Sequence, residues 1–304
     1  MKATNQGESS DSKGTAMHLS KMHLIYGTAW KKDDTARLVA DAIRSGFRFI
    51  DTACQPKHYN EPGVGQGWSE AAAELGLARQ DFYLQTKFTS VSGQDPKNIP
   101  YDRTKPIEEQ VKESLEVSLK NLRTDYLDAL VLHGPYPSMT STLKAWRTME
   151  SFVEQGIVRL IGVSNMYDLA ELEELYEKAT IKPSILQNRF YAESDFDTEI
   201  RAFCKENDVL YQSFWTLTAN RDALATTEVR KLAKTKGLSP QTLMYAFMMT
   251  MGHTPLDGTT NLKHMQEDIA LESRIKGGEK IFASEDELRK MAEVLGMPDG
   301  GMFW

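Results

Sequence analysis

Two cysteines, Cys54 and Cys204, are all that this chain of 304 residues carries, and two cannot build a disulfide framework. Neither lies at a metal-type spacing, and the six histidines are scattered, with no pair one helical turn apart, so no metal centre is expected. A basic tract is also missing: 36 Lys and Arg face 43 Asp and Glu, for a net charge of -7. That balance argues against nucleic acid and acidic membrane surfaces as partners. No apolar run is long enough to span a bilayer, and residues 1–21 lack the apolar centre of a signal peptide. These absences leave a soluble, cytoplasmic protein of a reducing compartment, expected as a monomer or weak homo-oligomer. Residues 1–21, rich in Ser, Gly, Asn and Thr, read as a mobile tail. Residues 22–304 then read as one domain.

What is present is an alternation. Short β-like runs near 23–26, 47–51, 82–86, 126–132, 158–163, 184–186, 209–214 and 254–256 are separated by helical stretches. Of these helices, 107–122 is the clearest, with Ile107, Val111, Leu115 and Leu119 at a spacing of four. Others are expected at 33–45, 68–75, 143–155, 168–178, 197–207, 226–236 and 240–251. One more opens at Gly258-Thr259-Thr260, and the last is marked by a capping box from Ser284 to Glu287. Strand–helix alternation of this kind builds βαβ units with right-handed crossovers. Eight strands in one series imply an α/β fold, a single (β/α)8 TIM barrel, which suits a chain of this length. The loop from Ser90 to Thr104 is long, and such loops are usually functional or disordered.

Three apolar runs end on an ionisable group: Asp51 on the second strand, Lys87 on the third and His133 on the fourth. In a parallel barrel the C-terminal strand ends form the rim that carries chemistry, so the three should meet, with Tyr59 on the loop after Asp51. A lysine ammonium beside a tyrosine favours the phenolate and should lower the phenol pKa from about 10. Asp51 can hold that ammonium charged, and a neutral His133 can donate a hydrogen bond to a substrate oxygen. Together they suit proton transfer to or from an oxygen that cycles between carbonyl and alcohol. Taken singly, Lys87 with Asp51 could be only a salt bridge, and His133 only a satisfied core histidine. Trp30, Trp215, Tyr101 and the terminal pair Phe303-Trp304 are candidates for an apolar wall that would admit medium-sized aldehydes or ketones.

The motifs resemble those of the aldo-keto reductases, in family order from Tyr26 to Ala270. GFRFIDTA with Tyr59-Asn60-Glu61 and Val64-Gly65 looks like the family's first signature, and LQTKF holds its lysine at Lys87. SLKNLRTDYLDALVLHGP is similar to the second signature and ends in the family's histidine, His133. IGVSN and the segment around Gln187 match the contacts to the nicotinamide amide. The resemblance implies NAD(P)H-dependent reduction of a small-molecule aldehyde or ketone, with a tetrad of Tyr59, Asp51, Lys87 and His133 and Tyr59 as general acid. It further implies Ser164, Asn165 and Gln187 at the nicotinamide, Phe214 stacked on it, and Thr28, Asp51, Trp215 and Leu217 along the cofactor. Gly258, Thr259, His264, Glu267 and Asp268 fall at the adenosine end. Trp30 and His133 fall in the substrate pocket.

The chain departs from the family pattern in three places. Tyr59 lies directly before Asn60-Glu61, so strict spacing would put His58 at the tyrosine's position. Phe214-Trp215-Thr216-Leu217 replaces the usual aromatic-Ser-Pro-Leu. Gly258 and His264 stand where NADPH-preferring members carry a lysine and an arginine, with Thr259 for the usual serine; Lys263 and His264 are the remaining candidates to meet a 2′-phosphate. NADPH is the cofactor implied, and NADH stays open. A regulatory subunit that binds the nucleotide with little turnover is a second reading. A barrel lyase or isomerase using Lys87 as a Schiff base is a third, against which Asp51 argues.

Overall fold

Short runs of β-branched and aromatic residues pair in parallel when helices cover them from outside. In the computed structural model of the chain, which describes residues 24–298, eight of them do so. They are β1 (Ile25–Gly27), β2 (Phe49–Asp51), β3 (Tyr83–Phe88), β4 (Leu127–Leu132), β5 (Val158–Ser164), β6 (Ile185–Arg189), β7 (Leu210–Phe214) and β8 (Thr254–Asp257). Each pairs with the next, and β8 pairs with β1, so the sheet closes into a barrel in sequence order. The expected (β/α)8 barrel is the fold. The tail expected over residues 1–21 and the wall candidates Phe303 and Trp304 lie outside the described residues.

The first six strands are each followed by a main helix: α1 (Thr35–Ser45), α2 (Glu61–Leu75), α3 (Ile107–Asn121), α4 (Met139–Glu154), α5 (Leu169–Lys178) and α6 (Thr198–Glu206). After β7 come α7 (Thr227–Thr235) and α8 (Pro240–Thr250), and after β8 come α9 (Leu262–Lys276) and α10 (Glu285–Leu295). The main core lies between barrel and helices, where Leu38, Trp68, Val111, Trp146, Leu172 and Phe247 are buried together. A smaller core fills the barrel itself, with Ile25, Phe49, Tyr83, Ala129, Val131 and Ile185.

Two elements run further than their composition suggests. α2 begins at Glu61 rather than near 68, although Pro62, Gly63, Gly65 and Gly67 look like loop residues. Asn60 caps it by accepting from the Gly63 N–H at 3.0 Å, and the proline sits in the first turn, where its missing N–H costs nothing. The glycines are there for approach: a β-carbon at Gly65 would collide with the Asn121 carbonyl of α3, and one at Gly67 with the Ala36 carbonyl of α1. β6 passes through Gln187 to Arg189 rather than ending before them. α9 starts later than expected, because Asn261 caps it through the N–H groups of Lys263 and His264.

Glu61 locks the start of α2 in place. Its carboxylate accepts from Thr86 of β3 at 2.5 Å and from Ser118 and Asn121 of α3 at 2.9 and 3.1 Å. Because α2 follows directly on Tyr59, this anchor sets where that loop can go. Gly65→Ala should destabilise the fold by about 3 kcal/mol through overpacking against α3, read as a lowered urea midpoint. An unchanged midpoint would mean that α2 and α3 can separate without loss.

Candidate active site

Side chains two apart on a strand share a face, so inward residues climb the barrel in steps. Tyr83, Gln85 and Lys87 do this on β3, and Ile185, Gln187 and Arg189 on β6. Leu210, Gln212 and Phe214 repeat the order on β7. The register sets Asp51 beside Gln85, Gln187 beside Gln212, and Arg189 beside Phe214. The barrel interior therefore has an apolar floor, a middle level of amides and a chemically diverse top. The amides bond to one another and to Asp51. Gln85 donates to Asp51 Oδ1 at 2.7 Å and to Gln212 Oε1 at 2.8 Å, and Gln187 donates to the same two atoms at 3.0 and 2.8 Å. Gln212 donates back to Gln85 at 3.0 Å.

Asp51 links this level to the top. Its Oδ2 lies 2.5 Å from Lys87 Nζ, and both side chains are almost wholly removed from solvent. Lys87 also donates to the Thr52 carbonyl at 2.8 Å. Burial lowers the Lys87 pKa, and the neighbouring carboxylate opposes that shift. Lys87 itself does not line the cleft above; it stands behind Tyr59, whose ring centroid is 5.3 Å from Nζ.

Tyr59 is half-buried and faces His133, ring centroids 6.0 Å apart and edge to face. The expected depression of its phenol pKa does not appear. Burial, and then the Asp51 charge, push it well above the ordinary value. The physical reason is that Asp51 neutralises Lys87 at 2.5 Å, so the pair offers the phenol little net positive field while the low-dielectric surroundings penalise the phenolate. His58 is elsewhere. Its ring stacks on Trp30 at 3.9 Å, and the Trp30 N–H donates to its carbonyl at 2.8 Å. Lys87 and His133 thus meet Tyr59, while His58 meets Trp30. His133 is held by Thr89, whose Oγ1 lies 2.6 Å from Nδ1. Burial, then the charge of Lys87, lower its pKa to about 3, so the imidazole is neutral.

The rim continues through β5. Asn165, in the left-handed region at φ 54, donates to the His133 carbonyl at 2.8 Å, and Ser164 Oγ donates to the Gln187 carbonyl at 2.6 Å. This rim opens on a cleft of about 680 Å³. Of the residues expected in it, Thr28, Trp30, Asp51, Tyr59, His133, Ser164, Asn165 and Gln187 line it. So do Phe214, Trp215, Leu217, Gly258, Thr259, His264 and Asp268.

One expectation is corrected. Tyr101 is no wall residue, because its loop folds back along β3; the ring is buried against Phe88 and its hydroxyl donates to the Thr89 carbonyl at 2.7 Å. Glu267 is not among the residues that line the cleft; its carboxylate pairs with the exposed Lys263 one turn back on α9 at 3.6 Å. His264 and Asp268, also one turn apart, share the inner face instead.

Other lining residues escaped the sequence reading. Lys31 follows Trp30 and is buried, donating to the Gly258 carbonyl at 2.9 Å; burial lowers its pKa to about 8 although Asp257 opposes the shift. Asp257 ends β8 beside Asp268, whose pKa burial and the Asp257 charge raise to about 8. Arg189 stands two residues beyond Gln187. Its signal was the same period of two that puts Gln187 inside, but an arginine after a glutamine looks like a surface turn.

A model of the Aldo/keto reductase family matches residues 16–276 of the chain. The 9,11-endoperoxide prostaglandin H2 reductase of Trypanosoma cruzi (strain CL Brener) is 28% identical over 276 residues, covering 89% of this chain and 89% of the relative. The glyoxal reductase of Bacillus subtilis (strain 168) is 32% identical over 182 residues, 60% of this chain and 58% of the relative. An aldo/keto reductase of known structure from Brucella melitensis has a TM-score of 0.72 at 24% identity, covering 90% of this chain and 94% of that one, a likeness of fold.

Asp51→Asn tests the pair at the barrel centre. It keeps the shape but leaves a buried ammonium without a counter-charge, so stability should fall by about 3–5 kcal/mol in urea denaturation. Adding Lys87→Met to that variant should restore part of the loss. Equal stability of Asp51→Asn and the parent protein would show that Lys87 does not depend on the carboxylate.

Proposed function

This chain belongs to the aldo/keto reductase family, and from that premise we propose that it reduces aldehydes or ketones to alcohols with Tyr59 as proton donor. The carrying observation is that Tyr59 stands 5.3 Å from the Lys87 ammonium and 6.0 Å from the His133 ring, measured to ring centroids. No other phenol among those lining the cleft has both neighbours. The high pKa of Tyr59 suits this direction of reaction, since the resting phenol is protonated and ready to donate. Lys87 stabilises the phenolate as the proton leaves, and Asp51 keeps Lys87 charged. His133, neutral above about pH 3, is held by Thr89 at Nδ1, and we take Nε2 to carry the proton. That N–H orients the carbonyl oxygen beneath Tyr59.

The cleft fits a nicotinamide dinucleotide. It offers amide and hydroxyl groups at the barrel centre, a ring at Phe214, and a second polar end at Thr259, His264 and Asp268. A reduced nicotinamide, when bound there, supplies the hydride to the carbonyl carbon. Ser164, Asn165 and Gln187 would hold its carboxamide, and Phe214 would pack on the ring. Thr28, Trp215 and Leu217 would flank the middle of the cofactor, with Gly258, Thr259, His264 and Asp268 around the adenosine. NADPH is the cofactor the family implies. With Gly258 and His264 in place of lysine and arginine, NADH is the second candidate.

Tyr59→Phe should lower turnover by about 10²–10⁴-fold while leaving the dissociation constant for reduced cofactor unchanged; full activity in that variant would sink the assignment. His58→Asn should lose little turnover. With saturating cofactor, the rate of carbonyl reduction should be level from about pH 5 to pH 7, below the titration of Lys31 and Asp268 near 8, because His133 stays neutral and Tyr59 protonated across that range. Oxidation of the alcohol should instead rise with pH, since it needs the phenolate. Initial rates with NADPH and NADH over a panel of carbonyl compounds test the whole reading. Tight cofactor binding with no turnover of any member would point to a nucleotide-binding regulatory subunit.

A further inference from the structure

Arg189 is the charged group in the cleft that the proposed chemistry leaves unused. Asp51 is matched by Lys87, Lys31 is spent on the Gly258 carbonyl beside Asp257, and Asp268 is hydrogen-bonded to Asp257. The Arg189 guanidinium has no hydrogen-bond acceptor among the described residues, and its Nε is sealed from solvent without a partner. It is nevertheless fixed. Its central carbon lies 4.2 Å from the ring centroid of Trp215, 5.0 Å from that of Tyr191 and 6.0 Å from that of Phe214. Trp215, held in the left-handed region at φ 55 and 44% exposed, forms an aromatic shelf at the cleft wall.

We propose that Arg189, stacked on Trp215, is the binding residue for an anionic oxygen ligand in this cleft. Stacking on a ring orients the guanidinium plane while leaving its two terminal nitrogens without acceptors, and that pair matches the two oxygens of a carboxylate or phosphate. Because the rings already immobilise the side chain, little of the usual ordering cost remains when the anion arrives. Two ligands carry this chemistry to the same place. One is the diphosphate of the dinucleotide, which rests on the proposed function. The other is the carboxylate of an acid-bearing aldehyde or ketone.

Arg189→Gln and Arg189→Lys are compared with the parent protein in two measurements. Calorimetry gives the affinities for NADH, ADP-ribose and succinate, none of which requires turnover. Steady-state rates give the kcat/KM ratio of succinic semialdehyde to butanal, which differ by the carboxylate. Loss of the guanidinium should weaken its ligand by roughly ten- to a hundredfold, and lysine, lacking the planar fork, should restore only part. A diphosphate ligand lowers the affinity for NADH and ADP-ribose and leaves the aldehyde ratio unchanged. A carboxylate ligand lowers the aldehyde ratio and succinate affinity and leaves NADH binding intact. If both variants keep the parent's melting temperature and hold every one of these quantities within about twofold, the proposal is overturned. Should neither aldehyde turn over in the parent protein, the proposed function fails while the calorimetric comparison still decides the role of Arg189. Should the glutamine variant fail to fold, the lysine variant carries the same comparison.

Discussion

A carboxylate and an ammonium 2.5 Å apart at the centre of a barrel are the constraint around which this molecule is arranged. Taking both charges out of water costs several kcal/mol per ion, and the Coulomb attraction offsets that only when the remaining hydrogen-bonding capacity is filled. Here it is filled from below. Gln85 and Gln187 both donate to the free oxygen of Asp51, and Gln212 ties the two amides together. The amide level is thus a platform for one ion pair, and its geometry follows from residues at matching heights on β2, β3, β6 and β7. A hydrophobic middle would pack as well. It could not supply the amide donors that hold Asp51 against Lys87.

The pair shapes what stands above it. Burial and then the Asp51 charge favour the phenol at Tyr59, and burial and then the Lys87 charge favour neutral imidazole at His133. On the proposed reading these are the protonation states that carbonyl reduction needs: a donor that holds its proton at rest and a hydrogen-bonding imidazole without charge. Lys87 acts when the proton moves, since an ammonium beside a forming phenolate is worth more than one beside a phenol. Its carboxylate partner and its place behind Tyr59 also leave no open path to the cleft, which counts against a role as Schiff-base nucleophile.

Away from the centre the cleft changes character. Its far end joins Lys31, Asp257 and Asp268 in one buried charged cluster, with one proton retained by Asp268 up to about pH 8. Arg189 sits at the opposite wall with an aromatic shelf and no internal partner. Of the cations lining the cleft, Lys31 is bonded to the Gly258 carbonyl beside Asp257, whereas Arg189 has no internal acceptor among the described residues.

The fold, and the strand ends that meet in the candidate site, were largely legible in the chain itself. Alternating periodicity predicts the eight strands, and the runs ending at Asp51, Lys87 and His133 predict a shared rim, because a parallel barrel puts all C-terminal strand ends on one side. Tyr59 against His58 could not be decided that way: they are neighbours in sequence, and only the turn at Gln55 and the anchor at Glu61 send one ring to Lys87 and the other to Trp30. The same limit hid α2, whose glycines look like a loop until α1 and α3 press against it, and misplaced Tyr101, whose direction depends on how a loop folds back. It hid Arg189 and the amide level too, since hydrogen-bond partners more than 100 residues apart leave no local pattern. What the chain alone determined were residue types at strand ends, which periodicity and chemistry make readable. Which of them meet, and at what protonation, was decided by packing, because distance and dielectric are properties of the closed barrel and of no single segment.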